Sequence, residues 1–336
     1  MRRRQAGITL VEILISLVLG LLLVGAATGI YLSNRQTFRQ VENLARLQEN
    51  ARIAFELLGR DIREAGGVPC GFSLPVANVL KNASAEWWSD WGLGIRGYDG
   101  NQVLPARAVG IGGGDRVNGT DAVVVWSGSA DSNINITNHA VAADPITVNT
   151  NAHGLEAGDI VLTCDLKQAS VFQVSTVNNN QIAHAADASL PGNCRANLGL
   201  STTLPHDCST AGSAYTFSGG GVMTKVRAYA WYVGNNGRGG RSLYRVFLGT
   251  SGGNAATTAE EMVENVTGLE IQYLEESGGV LGTSYVDATS VVDWTRVVAV
   301  RLNPVYVTAE TVGTDNNVID QTLPFVVTLR NRGRTL

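Results

Sequence analysis

The stretch Gly7-Ile8-Thr9-Leu10-Val11-Glu12-Ile13 decides the fold of this chain, because it opens an apolar run that reaches Leu32. Glu12 is the only side chain between Arg4 and Arg35 that carries a charge at neutral pH. A helix of this length crosses about 30 Å of hydrocarbon. The arginines that precede the run predict a cytoplasmic N-terminus, with the rest of the chain on the other side of the membrane.

Glu12 needs a physical explanation inside this helix. A carboxylate in a membrane helix costs about 2.5 to 3.5 kcal/mol near the bilayer centre, and somewhat less near the end of the span. Cleavage between Gly7 and Ile8 would create an α-amino group one helical turn from Glu12. In an assembly of staggered helices, the amine of one subunit can therefore meet the Glu12 carboxylate of its neighbour at low dielectric.

The basic leader, Gly7, the apolar residue Ile8, Glu12 and the uninterrupted apolar run together resemble the class III signal of type IV pilins. The resemblance implies cleavage after Gly7 by a prepilin peptidase, methylation of the Ile8 amine and helical assembly through the apolar segment. Ile8 departs from the Phe that the family usually has there. A secretory signal peptide has a shorter apolar core, of about 7 to 15 residues, and is disfavoured for that reason.

The helix is expected to continue beyond the membrane, because apolar residues recur there at three- and four-residue steps. Gly66-Gly67 ends it. These boundaries predict a leader at 1–7, a helix at 8–66 and a head at 67–336. Within the helix, 8–32 is the transmembrane and assembly segment, and 33–66 is amphipathic. The apolar stripe comprises Phe38, Val41, Ala45, Ala51, Phe55, Leu58, Ile62 and Ala65.

The head reads as β-rich, since short β-branched runs alternate with Asn, Asp and Gly. Polar and apolar residues alternate along 222–233, which is typical of a half-buried strand. We therefore expect an α+β, pilin-like fold in which an antiparallel sheet covers the helical stripe, with a β-rich inserted lobe at about 127–219. Strands are predicted at 121–126, 146–149, 159–164, 171–177, 222–233, 242–248, 269–275, 296–308 and 323–330.

Charge and cysteine content narrow the classes of function. The net charge of −4 does not indicate a nucleic-acid-binding protein, which would be expected to carry a basic patch. Four cysteines in a domain expected in the periplasm favour disulfides, for which three connectivities exist. We favour Cys194 with Cys208, in a short turn-rich loop near Pro205, and Cys70 with Cys164. No pair has the C-x-x-C spacing of a metal site, so neither metal nor cofactor is expected.

One catalytic motif occurs in the head. Gly249-Thr250-Ser251-Gly252-Gly253 matches the G-x-S-x-G pattern, after a predicted strand and before a potential helix at 257–264. The Ser, acid, His order cannot be completed, because the four histidines, His139, His153, His184 and His206, all precede Ser251. A hairpin loop explains the glycines equally well. No enzymatic activity is expected.

Further segments narrow the family resemblance. Asp61–Gly67, Val266–Tyr273 and Val327–Arg332 are similar to the PilW type of minor pilin. This resemblance implies a single-pass inner-membrane protein with a periplasmic head, which later enters the pilus at the cell surface. It also implies a role in initiating pilus assembly for twitching motility and adhesion. The implied partners are the prepilin peptidase, other minor and major pilins, the inner-membrane assembly platform and a tip adhesin.

Two alternatives stay open. The first is a minor pseudopilin of a type II secretion system, which shares the helix but serves a different machine. The second is a membrane-anchored periplasmic binding or hydrolytic domain, which would keep residues 1–7.

Overall fold

The computed structural model describes residues 9–71, 74–82, 85–91, 93–128, 133–186, 190–204, 206–312 and 317–332. Within them, a 55-residue helix, α1 (Leu10–Glu64), is followed by a head whose regular elements are strands and three short 3-10 helices. The architecture is α+β and pilin-like, as the sequence predicts. Helix α1 begins after Thr9, and Gly66, with φ of +70°, follows its end.

Two compact units divide the chain. The first contains the chain up to Glu49 together with Val307–Asp320, and the second contains Asn50–Tyr306 together with the residues from Gln321 onward. Helix α1 contributes its first 40 residues to one unit and its last 15 to the other. The second unit holds both sheets of the head.

The first sheet is centred on β10 (Val222–Asn235), which pairs antiparallel with β3, β4, β6 and β11. Strands β1 and β7 extend the sheet beyond β6, and β5, β9 and β8 extend it beyond β4. The other strands of this sheet are β1 (Val76–Asn78), β2 (Ile95–Tyr98), β3 (Ala122–Gly128), β4 (Ile134–Asn138), β5 (Ile146–Val148), β6 (Ile160–Cys164), β7 (Ala169–Gln173), β8 (Thr176–Asn178), β9 (Gln181–Ala183), β11 (Arg241–Ser251) and β12 (Asn254–Glu264).

The second sheet is centred on the antiparallel pair of β13 and β16. Strands β14 and β15 pair with β13, while β18 pairs with β16, and β17 completes the sheet. Three short 3-10 helices accompany it at Ala288–Ser290, Trp294–Arg296 and Arg330–Arg332. Its strands are β13 (Val266–Ser277), β14 (Val280–Leu281), β15 (Val286–Asp287), β16 (Val297–Val307), β17 (Asp320–Thr322) and β18 (Phe325–Thr328).

Two clusters of buried apolar residues include strands of the first sheet. One contains Trp87, Trp88 and Trp91, packed with Trp126 and Tyr232. Burying each such side chain stabilises the fold by about 1.5 to 3 kcal/mol. The tryptophans that crowd together in the sequence are therefore core residues.

The second apolar cluster packs residues of the β4–β9 segment, such as Ile146 and Phe172, against residues from outside it, such as Phe217 and Met223. The segment belongs to the same compact unit as the rest of the sheet. That 127–219 forms a distinct lobe stays a prediction.

One local expectation is wrong. Residues 257–264, read as a potential helix, form the second strand of the β11–β12 hairpin. Gly252 and Gly253 make its two-residue turn with φ of +58° and +80°, conformations that favour glycine. Register with β11 decides the structure of this segment, and helix propensity does not.

Candidate functional site: the N-terminal helix and its packing on the head

The first turn of α1 places Glu12. Its backbone N–H donates to the carbonyl oxygen of Thr9 at 3.1 Å and to Thr9 Oγ1 at 3.3 Å. Thr9 and Glu12 have the spacing of a capping box, a helix-start signal that the sequence carries by itself. The Glu12 side chain is exposed and forms no ion pair with any described residue. Gly7 and Ile8, the expected cleavage and methylation positions, lie outside the described residues.

The apolar segment of α1 is exposed along its length. Leu10, Leu21 and Leu23 are 75%, 64% and 72% exposed, and none of the most apolar part of the helix is buried in the protein. The segment has the length and composition to span a membrane. A continuous apolar surface of this size is stable only in lipid or against other apolar helices.

Beyond the apolar segment, polar contacts join α1 to residues 308–312 within the first unit. Arg39 Nη2 lies 2.8 Å from Glu310 Oε2, and Gln40 Nε2 donates to the Val312 carbonyl at 2.6 Å. The hydrogen bond and charge of Arg39 lower the pKa of Glu310 from its ordinary value. Asn43, which is buried, accepts from the Glu310 N–H at 3.3 Å. These contacts fix the segment that follows β16 to the helix.

A buried acid lies on the last turns of α1. Asp61 is 3% exposed, and its Oδ2 accepts a hydrogen bond from Trp231 Nε1 at 3.0 Å. Arg245 Nη1 lies 3.8 Å from the same oxygen. Burial raises the pKa of Asp61, and the charge of Arg245 acts against that shift. Asp61 of the helix is therefore held by a hydrogen-bond donor and a cation of the first sheet within an otherwise apolar contact.

Arg245 is held by aromatic rings as well as by Asp61. Its guanidinium carbon lies 4.8 Å from the ring centroid of Tyr229 and 5.6 Å from that of Trp231. Phe247 flanks it at 5.9 Å. A guanidinium over aromatic faces gains about 0.5 to 2 kcal/mol, depending on how far it is desolvated. Strands β10 and β11 thus present a preformed cation to the helix.

The end of α1 is capped by the last described residues of the chain. Asn331 Nδ2 donates to the carbonyl oxygens of Glu64 at 3.2 Å and Ala65 at 3.4 Å. The Gly66 N–H donates to the Trp126 carbonyl at 2.8 Å. The final carbonyls of a helix lack partners within it, so the Asn331 amide adds to the Gly67 N–H, which already donates to the Glu64 carbonyl at 2.9 Å.

Disulfides close the irregular parts of the head. Cys70 is bonded to Cys164, and Cys194 to Cys208, across sequence separations of 94 and 14 residues. These are the two pairs that the sequence favours. The first bond joins the chain just after α1 to β6, and so holds the start of the head against the first sheet.

The G-x-S-x-G motif lies at the turn of the β11–β12 hairpin. Ser251 pairs with Asn254 across the hairpin turn. Among the described residues, no group of three or more His, Cys, Asp or Glu side chains has the arrangement of a metal site. His139 and His184 are buried with their rings 5.5 Å apart, and burial lowers the pKa of both, that of His139 to about 4.

Two family models match the chain. The type IV pilus-assembly protein W model (PilW) matches residues 230–330, and the prokaryotic N-terminal methylation motif matches residues 2–28. Both matches support a type IV pilin-like minor pilin of the PilW type. The PilW match runs from β10 through β18 and includes Trp231 and Arg245, whereas Asp61 lies outside both matches. No curated protein sequence and no solved structure matches this chain.

The two matches support a type IV pilin-like component of a pilus or a related pseudopilus. Similarity to these pilin-family models points to a structural protein and implies contacts with other pilins and with the assembly machinery. The methylation motif on an exposed apolar helix suggests that the chain is anchored in a membrane.

Proposed function

We propose that this chain is a minor pilin that helps to initiate assembly of a type IV pilus, for twitching motility and adhesion. The observation that carries the proposal is a methylation motif over residues 2–28 on the exposed helix of a chain whose head matches PilW. The chain is then a structural subunit and not an enzyme. Its partners are the prepilin peptidase, other minor and major pilins, the inner-membrane assembly platform and a tip adhesin.

The proposed sequence of events begins in the inner membrane, with the N-terminus in the cytoplasm and the head in the periplasm. The prepilin peptidase cuts after Gly7, and the new Ile8 amine is methylated. The Glu12 carboxylate of one subunit then pairs with the Ile8 amine of a neighbour while the apolar helices pack together. In an apolar bundle this pairing removes the cost of leaving the carboxylate uncompensated.

Glu12 also has a local role, which must be separated from assembly. A carboxylate at this position interacts favourably with the N-terminal end of the helix, by about 0.3 to 1 kcal/mol. Glu12→Gln keeps a capping-box side chain but removes the charge. If the pairing is correct, both Glu12→Ala and Glu12→Gln are processed and inserted normally but are absent from sheared pili.

The test is immunoblotting of membrane and sheared-pilus fractions from cells that express each variant. Ser16→Ala, one turn further along the helix, is the matched control and is expected to assemble normally. Recovery of Glu12→Gln in pili at the wild-type level contradicts the role of the charge. A minor pseudopilin of a type II secretion system is the second candidate, since the family matches allow it. Loss of protein secretion with normal twitching in a deletion strain favours that candidate.

A further inference from the structure

A cleft lined by arginines lies at the C-terminal end of α1. It has a volume of about 230 Å³. Arg60 and Arg63 contribute to it from the last turns of the helix, and Arg330 from the turn that follows β18. Val68 and Pro69 form part of its wall. We call this feature the arginine cleft.

The described residues neutralise only part of the positive charge of the arginine cleft, since Arg60 Nε lies 3.7 Å from Asp61 Oδ1. Glu64 is the one carboxylate among the described residues that line it, and Arg227 Nη1 already lies 3.4 Å from Glu64 Oε2. Arg63 and Arg330 form no ion pair in the described part of the chain. The cleft is therefore cationic in a chain whose net charge is −4.

Arg63 is held in place before any partner arrives. Its guanidinium carbon lies 5.4 Å from the centroid of the Phe55 ring, which packs edge-on against Phe325 at 5.0 Å. A planar guanidinium fixed in this way loses little freedom on binding an anion. Arg330 is exposed beside it and free to complete the contact.

We propose that the arginine cleft binds the carboxylate of an Asp or Glu side chain on a neighbouring subunit of the assembly. The inference rests on the proposed function for the identity of that neighbour. Guanidinium groups match a carboxylate with two parallel hydrogen bonds, and the methylene groups of an acidic side chain suit the apolar wall. The Glu64 carboxylate at the wall repels a doubly charged phosphate more than a single carboxylate.

The first test uses the full-length chain in detergent micelles and a fluorescein-labelled hexaglutamate peptide. Fluorescence anisotropy is expected to show at least about a fivefold rise in Kd for Arg63→Gln with Arg330→Gln, the size of two exposed charge contacts. Arg241→Gln is the matched control, since Arg241 is exposed, lies outside the cleft and donates to a carbonyl oxygen. Its Kd should stay within about twofold of wild type.

The single variant Arg330→Gln tests binding with the fold left unchanged, because the exposed Arg330 side chain has no hydrogen bond to a described residue. It is expected to raise the Kd about two- to threefold. Equal binding by wild type and the double variant overturns the proposal, and so does an equal loss in Arg241→Gln. Displacement of the peptide by inorganic phosphate more strongly than by chloride at matched ionic strength overturns the choice of a carboxylate.

The second test asks whether the arginine cleft is needed for the chain to enter the pilus. Arg63→Glu with Arg330→Glu is expected to be processed and inserted in the membrane but depleted from sheared pili at least about fivefold relative to Arg241→Glu. Normal recovery of the charge-reversed chain in pili overturns the docking site and leaves the proposed function intact. Absence of the wild-type chain from pili would instead refute the proposed function.

Discussion

Trp231 Nε1 donates a 3.0 Å hydrogen bond to Asp61 Oδ2, and this bond joins α1 to the central strand of the head. Both residues are almost completely buried, at 0% and 3% exposure. Arg245, on the neighbouring strand, lies 3.8 Å from the same carboxylate oxygen. An acid on the helix and a donor on the sheet favour one register between them, because any other register leaves the buried Asp61 carboxylate without its partners on the sheet.

Asp61→Ala is expected to destabilise the head by about 2 kcal/mol, since it leaves the Trp231 N–H without an acceptor and Arg245 with the half-exposed Glu260, 3.7 Å away, as its remaining carboxylate among the described residues. Asp61→Asn keeps an acceptor for Trp231 and should cost less. Chemical denaturation of the full chain, followed by tryptophan fluorescence, measures both. Glu56→Ala is the control, because Glu56 is exposed and its one ion pair with a described residue is with Arg52, and it should change the stability by less than about 0.5 kcal/mol. An Asp61→Ala chain as stable as the control contradicts this account of the contact.

We expect Asp121 to make the stability of the fold depend on pH. Burial raises the pKa of this carboxyl to about 6. The folded-state pKa is higher than that of the unfolded chain, so ionisation of Asp121 opposes folding. The stability that the neutral form contributes is complete below about pH 4 and is lost as the pH rises through 6.

Asp121→Asn removes this titration while keeping an oxygen to accept from the Ile271 N–H. After discounting for partial exposure, we expect the variant to be more stable than wild type by about 1 kcal/mol at pH 7.5. The two chains should differ little at pH 4. Thermal unfolding of both at several pH values measures the difference, and a constant difference across that range is the contrary result.

We expect Asn331 to stabilise the C-terminal end of α1. Asn331→Ala removes both hydrogen bonds to the end of α1, and should lower the stability by about 1 to 2 kcal/mol. Hydrogen exchange of the last helical turn is the most direct readout, since fraying appears there first. Asn303→Ala serves as the control, because the Asn303 side chain makes only an exposed contact with Glu270. Unchanged protection of residues 61–64 counts against the capping role.

The long helix and most strands of the head follow from local patterns. The apolar run, the amphipathic stripe and Gly66-Gly67 are enough to place α1, which the structure describes from Leu10 to Glu64. The alternation along 222–233 likewise locates β10. In both cases the periodicity of the sequence matches the period of the element.

Pairwise contacts between distant residues could not be predicted in this way. Asp61 and Trp231 are 170 residues apart, and Asp61 alone reads as an ordinary polar residue of an amphipathic helix. Asn331 gives no local signal for capping a helix that ends 267 residues earlier. The capping box at Thr9 and Glu12 can be predicted from spacing alone. Residues 257–264 form a strand instead of the expected helix because they pair with β11 in a hairpin.

The central claim is that processing exposes an amine at Ile8 which balances Glu12 in the assembly. Intact-mass and N-terminal peptide analysis of the chain from cells with an active prepilin peptidase tests it most directly. The account predicts a mature chain that begins at Ile8, one methyl group heavier than the unmodified residue. A chain that still begins at Met1 would contradict it.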